Sequence, residues 1–427
     1  MTARRALPQA PSRRGWCPSL SRPMPTGDGL LARVHPPLGI LTPAQARAVA
    51  EGARRFGNGH VDVTARANLQ IRGVTEDTRA PLAAFLDDAG LGDMRSDGGP
   101  QRLTLTAPLA GQAVRDLARA IEAIGLAIPG LPAKALVSVE DVAFVGFGDG
   151  EADIRLCVLN DATAPVAERR ALRIAMALAG PDGPEWFTAA EPLEAADLAL
   201  RTLAASGARR MRDLPGDAKN RLIADLRPTA VATPAAAAPR LRCGIGDLGD
   251  GRTALLLDAP FGRCDSGALH RLADAAEALA SDIHLSPTRG FALAGTDAGA
   301  LRRARDVLTG FVTEPDDPRG DVAACPGAPA CASGSTPTLD HAARLAQAFG
   351  PFAARGLRGH VSGCAKGCAH PQAADLTLVG NGGLYGIVIG GAPSDLPAMQ
   401  LTFEAALERL RRADPALPLE RAFRIQP

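Results

Sequence analysis

Two stretches of this chain echo each other, and that internal duplication limits the fold more than any other feature. The first reads TGDGLLARVHPPLGILTPAQARAVAEGARRFGNGHVDVTARANLQIRG. The second reads LGDGRTALLLDAPFGRCDSGALHRLADAAEALASDIHLSPTRGFALAG. Each holds Gly-Asp-Gly, an apolar strand, a glycine (Gly39, Gly262) and a helix with apolar positions three to four apart. A second strand then leads to an arginine, Arg66 or Arg289, and a further alternating strand. Gly27 to Arg66 spans 39 positions and Gly249 to Arg289 spans 40, so Arg289 is read as the mate of Arg66. Further helices follow in TRAPLAAFLDDAG and AGALRRARDVLTGF. A β-α-β-β-α unit that occurs twice predicts two halves packed as a pseudo-dimer.

A second kind of unit follows each repeat, over roughly 100 to 226 and 318 to 420, where EADIRLCVL parallels AADLTLVGN. Between the halves, RPTAVATPAAAAPR at 227 to 240 is rich in Pro and Ala and lacks amphipathic period, as a linker does. The 427 residues exceed one compact core. A net charge of +1 gives no global field to attract nucleic acid or a membrane, and no apolar run reaches a membrane span. Residues 1 to 14 carry four arginines and no apolar signal core, so a disordered start and a cytoplasmic location are expected.

The eight cysteines are unevenly placed. Cys325 and Cys331 have five residues between them in CPGAPAC. Cys364 and Cys368 have three residues between them in HVSGCAKGCAHP, after a gap of 32 residues. Four thiolates so spaced suit an iron–sulfur cube. Pro326 and Pro329 forbid a helix between the first pair, and Gly327, Gly363 and Gly367 let backbone N–H groups approach sulfur. Structural zinc favours a closer knuckle, so a zinc site fits poorly; four buried thiols acting as small hydrophobes are the other alternative. Cys17, Cys157, Cys243 and Cys264 are scattered and read as packing residues. Only three lysines occur (Lys134, Lys219, Lys366), so a retained lysine suggests a need for a compact ammonium. Lys366 lies between two of the paired cysteines. The glycine-rich GFGDGE at 146 to 151 lacks the helix entry of a dinucleotide fingerprint.

The cysteine pattern behind a duplicated β-α-β-β-α unit resembles the sirohaem-containing nitrite/sulfite reductase superfamily. CPSLSRPMPTGDGLLARVHP, GHVDVTARANLQIRG, RLTLTAPLAG, LPAKALVSVED and HVSGCAKGCAHP narrow the likeness to the precorrin-3B synthase family, over about residues 15 to 420. The resemblance implies an α+β architecture of two ferredoxin-like half-domains and two larger α+β units with pseudo-twofold symmetry. The implied boundaries are 15–90 for the first half-domain, 91–226 for a unit without a cluster, 241–314 for the second half-domain and 315–427 for the unit with the cluster. It implies a 4Fe–4S cluster on Cys325, Cys331, Cys364 and Cys368. In the reductases the last of these also bridges to sirohaem iron.

The family's anion-binding motifs fall on Arg66 and Gln70, with Asn68 and Arg72 on the same alternating face. They fall also on Arg102 and on Lys134, with Arg289 a further candidate. Each of these cations alone is equally consistent with an ion-paired or surface role. A second lysine typical of sulfite reductases is replaced by Leu136, which weighs against sulfite reduction. The implied reaction is oxygen-dependent hydroxylation of precorrin-3A at C20, with closure of a γ-lactone, in cobalamin biosynthesis. A sirohaem-dependent sulfite or nitrite reductase is the alternative. Dioxygen is the implied co-substrate. Electrons are expected from a reductase or ferredoxin partner, with NAD(P)H acting indirectly. The second iron is expected to be sirohaem or mononuclear, with His360, His370 and His284 as candidate nitrogen ligands. No nucleic-acid or membrane partner is expected.

Overall fold

The computed structural model describes residues 16–141, 152–159, 173–180, 185–231, 233–234, 243–248 and 251–423. The expected disordered start at 1–14 and the stretch at 146–151 lie outside the described residues, as does most of the later part of the 227–240 linker. The start of that linker is not irregular. Thr229–Ala230 forms an edge strand against Glu185–Thr188.

The two repeats fold as the duplication predicts, with one feature that it did not reveal. The first makes a sheet from Met24–Thr26, Gly29–Val34, Leu69–Val74 and His60–Val63, and the second makes its counterpart from Gly244–Asp247, Thr253–Asp258, Gly290–Gly295 and Ile283–Ser286. Each sheet is completed by a short strand from the other repeat. Arg263–Asp265 pairs with His60–Val63, and Ile40–Leu41 pairs with Ile283–Ser286. Both crossing strands leave matching sharp turns at Pro37–Gly39 and Pro260–Gly262, where Gly39 and Gly262 hold φ of 72° and 76°. A side chain is disfavoured there twice over. The backbone is left-handed, and a Cβ on Gly262 would lie 2.1 Å from the Arg289 guanidinium.

Helices Pro43–Phe56 and Ser266–Ala278 pack together across the pseudo-twofold axis. Their contact faces are rich in alanine (Ala46, Ala50, Ala53; Ala268, Ala273, Ala276), which allows a close approach. Thr42 and Asp265 cap them, accepting N–H bonds from Gln45 and Ala268. A single apolar core, including Leu41, Ile71, Leu257, Ile283 and Phe291, runs through both repeats. The halves are therefore one folding unit at this level.

The larger units also match. In one, Thr104–Thr106, Val137–Asp141 and Ile154–Leu159 are parallel neighbours, followed by antiparallel strands. In the other, Val322–Ala324, Gly359–Ser362 and Ala374–Asn381 repeat the pattern. Crossover helices Gln112–Leu126 and Thr338–Ala353 join the first two strands of each. Among the described residues no helix is long and apolar enough to cross a membrane.

A buried ionic cluster lies along the seam between repeats. Asp62, 5% exposed, accepts from Arg263 of the other repeat at 2.6 and 3.1 Å and lies 3.4 Å from Arg72. Deleting this carboxylate leaves two guanidiniums without it in a dry setting, which typically costs about 3–5 kcal/mol. Asp62→Ala is thus expected to lower the unfolding free energy by about that amount. Chemical denaturation measures it, and a loss below about 1 kcal/mol would contradict the role given to this cluster.

Candidate functional site

Parallel strands explain how distant cysteines meet. Cys325 follows directly on Val322–Ala324, and Cys364 lies just past its neighbour Gly359–Ser362. Loops leaving the carboxyl ends of adjacent parallel strands open on the same edge of the sheet. The Gly363 N–H donates to Cys325 Sγ at 3.1 Å, and the Thr338 hydroxyl donates to the Cys325 carbonyl. Burial raises the Cys364 thiol above its ordinary value, and Cys325 and Cys331 raise it further. Cys368 is exposed towards a concave wall, where desolvation pushes its thiol up to about 11. Lys366 opposes that rise, while Cys325, Cys364 and Cys331 add to it. The four predicted thiols thus lie close enough to act on one another's charge. Cys157, Cys243 and Cys264 are buried as expected. Cys17 is not simply a packing residue, since it lines the cleft described below and interacts with Arg33.

The first repeat clamps the loop that carries Cys331. The Gly27 N–H donates to the Ala330 carbonyl at 3.1 Å, and Arg72 Nη2 donates to the same oxygen at 2.5 Å. A Cβ on Gly27 would sit 2.0 Å from the Pro329 oxygen, so this approach requires glycine. Asp28 holds Arg72 from behind at 2.6 and 3.0 Å. The Gly-Asp-Gly motif and Arg72 are therefore parts of one bracket. This corrects the expectation that Arg72 binds substrate: its fork is 3% exposed and engaged by Asp28, Asp62 and Ala330.

The other predicted cations divide into two groups. Arg66 and Lys134 stand together on the wall of a cleft of about 1390 Å³, and Arg66 Nη1 donates to the Lys134 carbonyl at 3.1 Å. Arg102 instead donates to the backbone carbonyls of Pro36, Ala67 and Arg66. Burial pushes its guanidinium down to about 10. It shapes the Arg66 turn and does not present an open fork. Gln70 turns its amide oxygen to Arg33 Nε and Nη2, at 3.1 and 2.5 Å, and so orients that arginine. Arg289 reaches the cleft wall while donating to Val63 and Ala324 carbonyls at 3.1 Å each. It is not the structural mate of Arg66. Arg289 closes its turn on Ser286 as Ala67 does on Thr64, so the two arginines are one position out of step. Beside the cleft, a recess of about 190 Å³ is lined by Arg33, His35, Arg66, Asn68 and Arg102. Burial, then Arg33 and Arg102, keep His35 neutral.

Among the described residues the large cleft is lined by ten cationic side chains and three carboxylates, a balance that favours an anion. It exceeds the roughly 300–1,000 Å³ of ordinary small-molecule pockets. Cys368, Lys366 and His370 form part of its wall, which places the cysteine site and the cation-lined space side by side. Arg209, Arg210 and Arg212, in the run ARRMRD, also line it. Sequence inspection missed them, although three arginines in the four positions 209–212 were a visible signal. Of the predicted histidines, His370 is on the wall. His360 is 0% exposed behind it, with ring centroids 5.8 Å apart. Among the described residues neither nitrogen of His360 has a hydrogen-bond partner. His284 is elsewhere, accepting from the Leu109 N–H at 3.4 Å, so it is not a ligand candidate for this site.

Comparison with known proteins agrees with this geometry. Residues 22–89 match the family model described as the nitrite/sulfite reductase ferredoxin-like half domain. The solved NirA protein of Mycobacterium tuberculosis superposes with a TM-score of 0.68 at 20% identity, covering 93% of this chain and 84% of that one. The fold is that of the solved NirA protein, and its first repeat carries the nitrite/sulfite reductase ferredoxin-like half domain. A ferredoxin–nitrite reductase of Leptolyngbya laminosa is 35% identical, but over only 22% of this chain and 19% of its own length. A precorrin-3B synthase of Sinorhizobium is 34% identical over 403 residues, 91% of this chain and 85% of that protein. The chain belongs to the precorrin-3B synthase family.

His360 makes the site pH-sensitive. Burial first, then His370 and Arg289, push its imidazole down to about 3. The unfolded chain binds this proton near 6.5 and the folded chain refuses it until about 3, so stability falls as pH drops through that window. The slope reaches about 1.4 kcal/mol per pH unit for one group. His360→Leu is expected to flatten the dependence of unfolding free energy on pH between 6.5 and 5 by roughly that much. An unchanged slope would show that His360 is not held neutral.

Proposed function

We propose that this chain catalyses the oxygen-dependent conversion of precorrin-3A to precorrin-3B. In that reaction one atom of dioxygen becomes the C20 hydroxyl and the other leaves as water, with consumption of two electrons and two protons. The ring A acetate closes a γ-lactone at C1. The observation that carries this proposal is the cation-lined cleft of about 1390 Å³ with Cys368 in its wall. A modified tetrapyrrole with many carboxylates needs a space of this size and charge.

The residues fit a 4Fe–4S cluster. Four thiols from two loops surround one region, with an amide N–H already directed at Cys325 Sγ. Zinc would need its sulfurs within about 3.8 Å of one another for bonds of about 2.3 Å. Among the described residues no three His, Cys, Asp or Glu side chains are grouped to hold a single ion. A cube takes its four thiolates at its outer corners, as cysteines from two separate loops can supply them. When bound, the cluster supplies single electrons, which amino-acid side chains do not deliver.

The chain's own groups have separate roles. Lys134 and Arg66 hold substrate carboxylates, one as a compact point charge and the other as a planar fork. Gln70 and Arg102 orient Arg33 and the Arg66 turn, respectively. The Arg72 bracket fixes the loop of Cys331. His370 is the candidate nitrogen donor on the cleft wall for a second iron, and His360 backs it. The electron donor is a reductase or ferredoxin, fed indirectly by NAD(P)H. Leu136, 4% exposed, occupies the cleft wall where a second lysine would complete a cage for a small anion. That favours the tetrapyrrole reaction over reduction of sulfite or nitrite.

The test is incubation of anaerobically purified protein with precorrin-3A, a chemical reductant and ¹⁸O-labelled dioxygen. The expected product carries one labelled oxygen. Lys134→Ala is expected to raise KM with little change in melting temperature. An unlabelled product, or sulfite reduction without conversion of precorrin-3A, would refute the proposal.

A further inference from the structure

Arg209 and Arg212 stand on the wall of the cleft, where their neighbours include other cations. On the outer helix faces several arginines pair with a carboxylate, as in Arg54–Glu51, Arg119–Asp116, Arg201–Asp197 and Arg344–Glu404. Arg209 and Arg212 are exposed on the cleft wall, and among the described residues neither side chain has an ion pair or hydrogen bond. Lys134 shares this condition. Like charges gathered in a concave space repel unless an anion joins them.

Their placement is constructed. Helix Pro192–Ser206 ends at Gly207, whose φ of 71° turns the chain towards the cleft. Met211, 2% exposed, anchors the run in the apolar core between the two arginines. Asp153, 0% exposed, then ties the run to the lysine loop. It accepts from the Met211 N–H at 2.7 Å, from Arg210 Nε at 2.9 and 3.1 Å and from the Leu136 N–H at 3.0 Å. Arg210 therefore answers the charge of Asp153, and Arg209 and Arg212 are left for a ligand.

We propose that residues 209–212 form a carboxylate-recognition arm, in which Arg209 and Arg212 grip side-chain carboxylates of the substrate macrocycle beside Lys134. This rests on the tetrapyrrole reaction proposed above and names a binding site for it. Guanidinium forks match carboxylates in a bidentate manner, and the two arginines on either side of Met211 can hold separate acid groups.

Anaerobic equilibrium binding of precorrin-3A to the full-length protein tests the arm. Arg209→Ala and Arg212→Ala are each expected to weaken binding about five- to twentyfold, as loss of a charge-assisted hydrogen bond does. The double variant should lose more, and the Lys variants should regain part of the affinity. Arg302→Ala, exposed on the distant helix Ala298–Val307, should bind as the parent protein does. Melting temperatures should be unchanged, because neither arginine makes a structural bond. Parent-like affinity in both single variants and the double variant would overturn the arm while leaving the tetrapyrrole reaction intact. Failure of the parent protein itself to bind would overturn both. Unchanged precorrin-3A affinity with slower reduction by a carboxylate-rich donor protein would assign the arm to partner docking and also overturn it.

Discussion

Two short parallel strands lying side by side set where the cysteine-bearing loops of this protein meet. Because Val322–Ala324 and Gly359–Ser362 are hydrogen-bonded neighbours running in one direction, the chain leaves both at the same edge. Cysteines far apart in sequence are then delivered to one place without a dedicated local motif. The Gly363 N–H to Cys325 Sγ bond joins the two exits. Everything else at the site is support for that meeting. The Gly27–Asp28–Arg72 bracket grips the outer part of the first loop from a different repeat.

The duplication has allowed the two halves to take different roles while remaining one body. Exchange of crossing strands at Ile40–Leu41 and Arg263–Asp265 merges the cores, and Asp62 fastens the seam with one arginine from each half. The second half supplies the cysteines. The first supplies the lysine loop and the arginine run, both carried on the unit whose sheet contains Val137–Asp141 and Ile154–Leu159. The cleft lies where these contributions face each other, so neither half alone could form it.

Much of this was legible in the sequence, and the exceptions have physical causes. The repeats were visible because helix and strand periods are long enough to recognise. The crossing strands were not, since two or three residues carry no period. The cysteines stood out by spacing and by their proline and glycine surroundings. Arg72 was misplaced because period two assigns it a face but says nothing of Asp28 and Ala330, which meet it only in the fold. Arg289 was matched one position wrongly because the two turns close at different points in the aligned sequences. Arg209 and Arg212 escaped notice in an arginine-rich chain. Only burial of Met211 and Asp153 distinguishes that run from solvated charge.

The most direct measurement is the content of iron and acid-labile sulfide in protein purified without oxygen, with its electron paramagnetic resonance spectrum after reduction. The account predicts about four irons and four sulfides per chain and a reduced-cluster signal, both lost in Cys331→Ser and Cys364→Ser. Zinc in place of iron, with no sulfide, or a cluster that survives both substitutions, would contradict it.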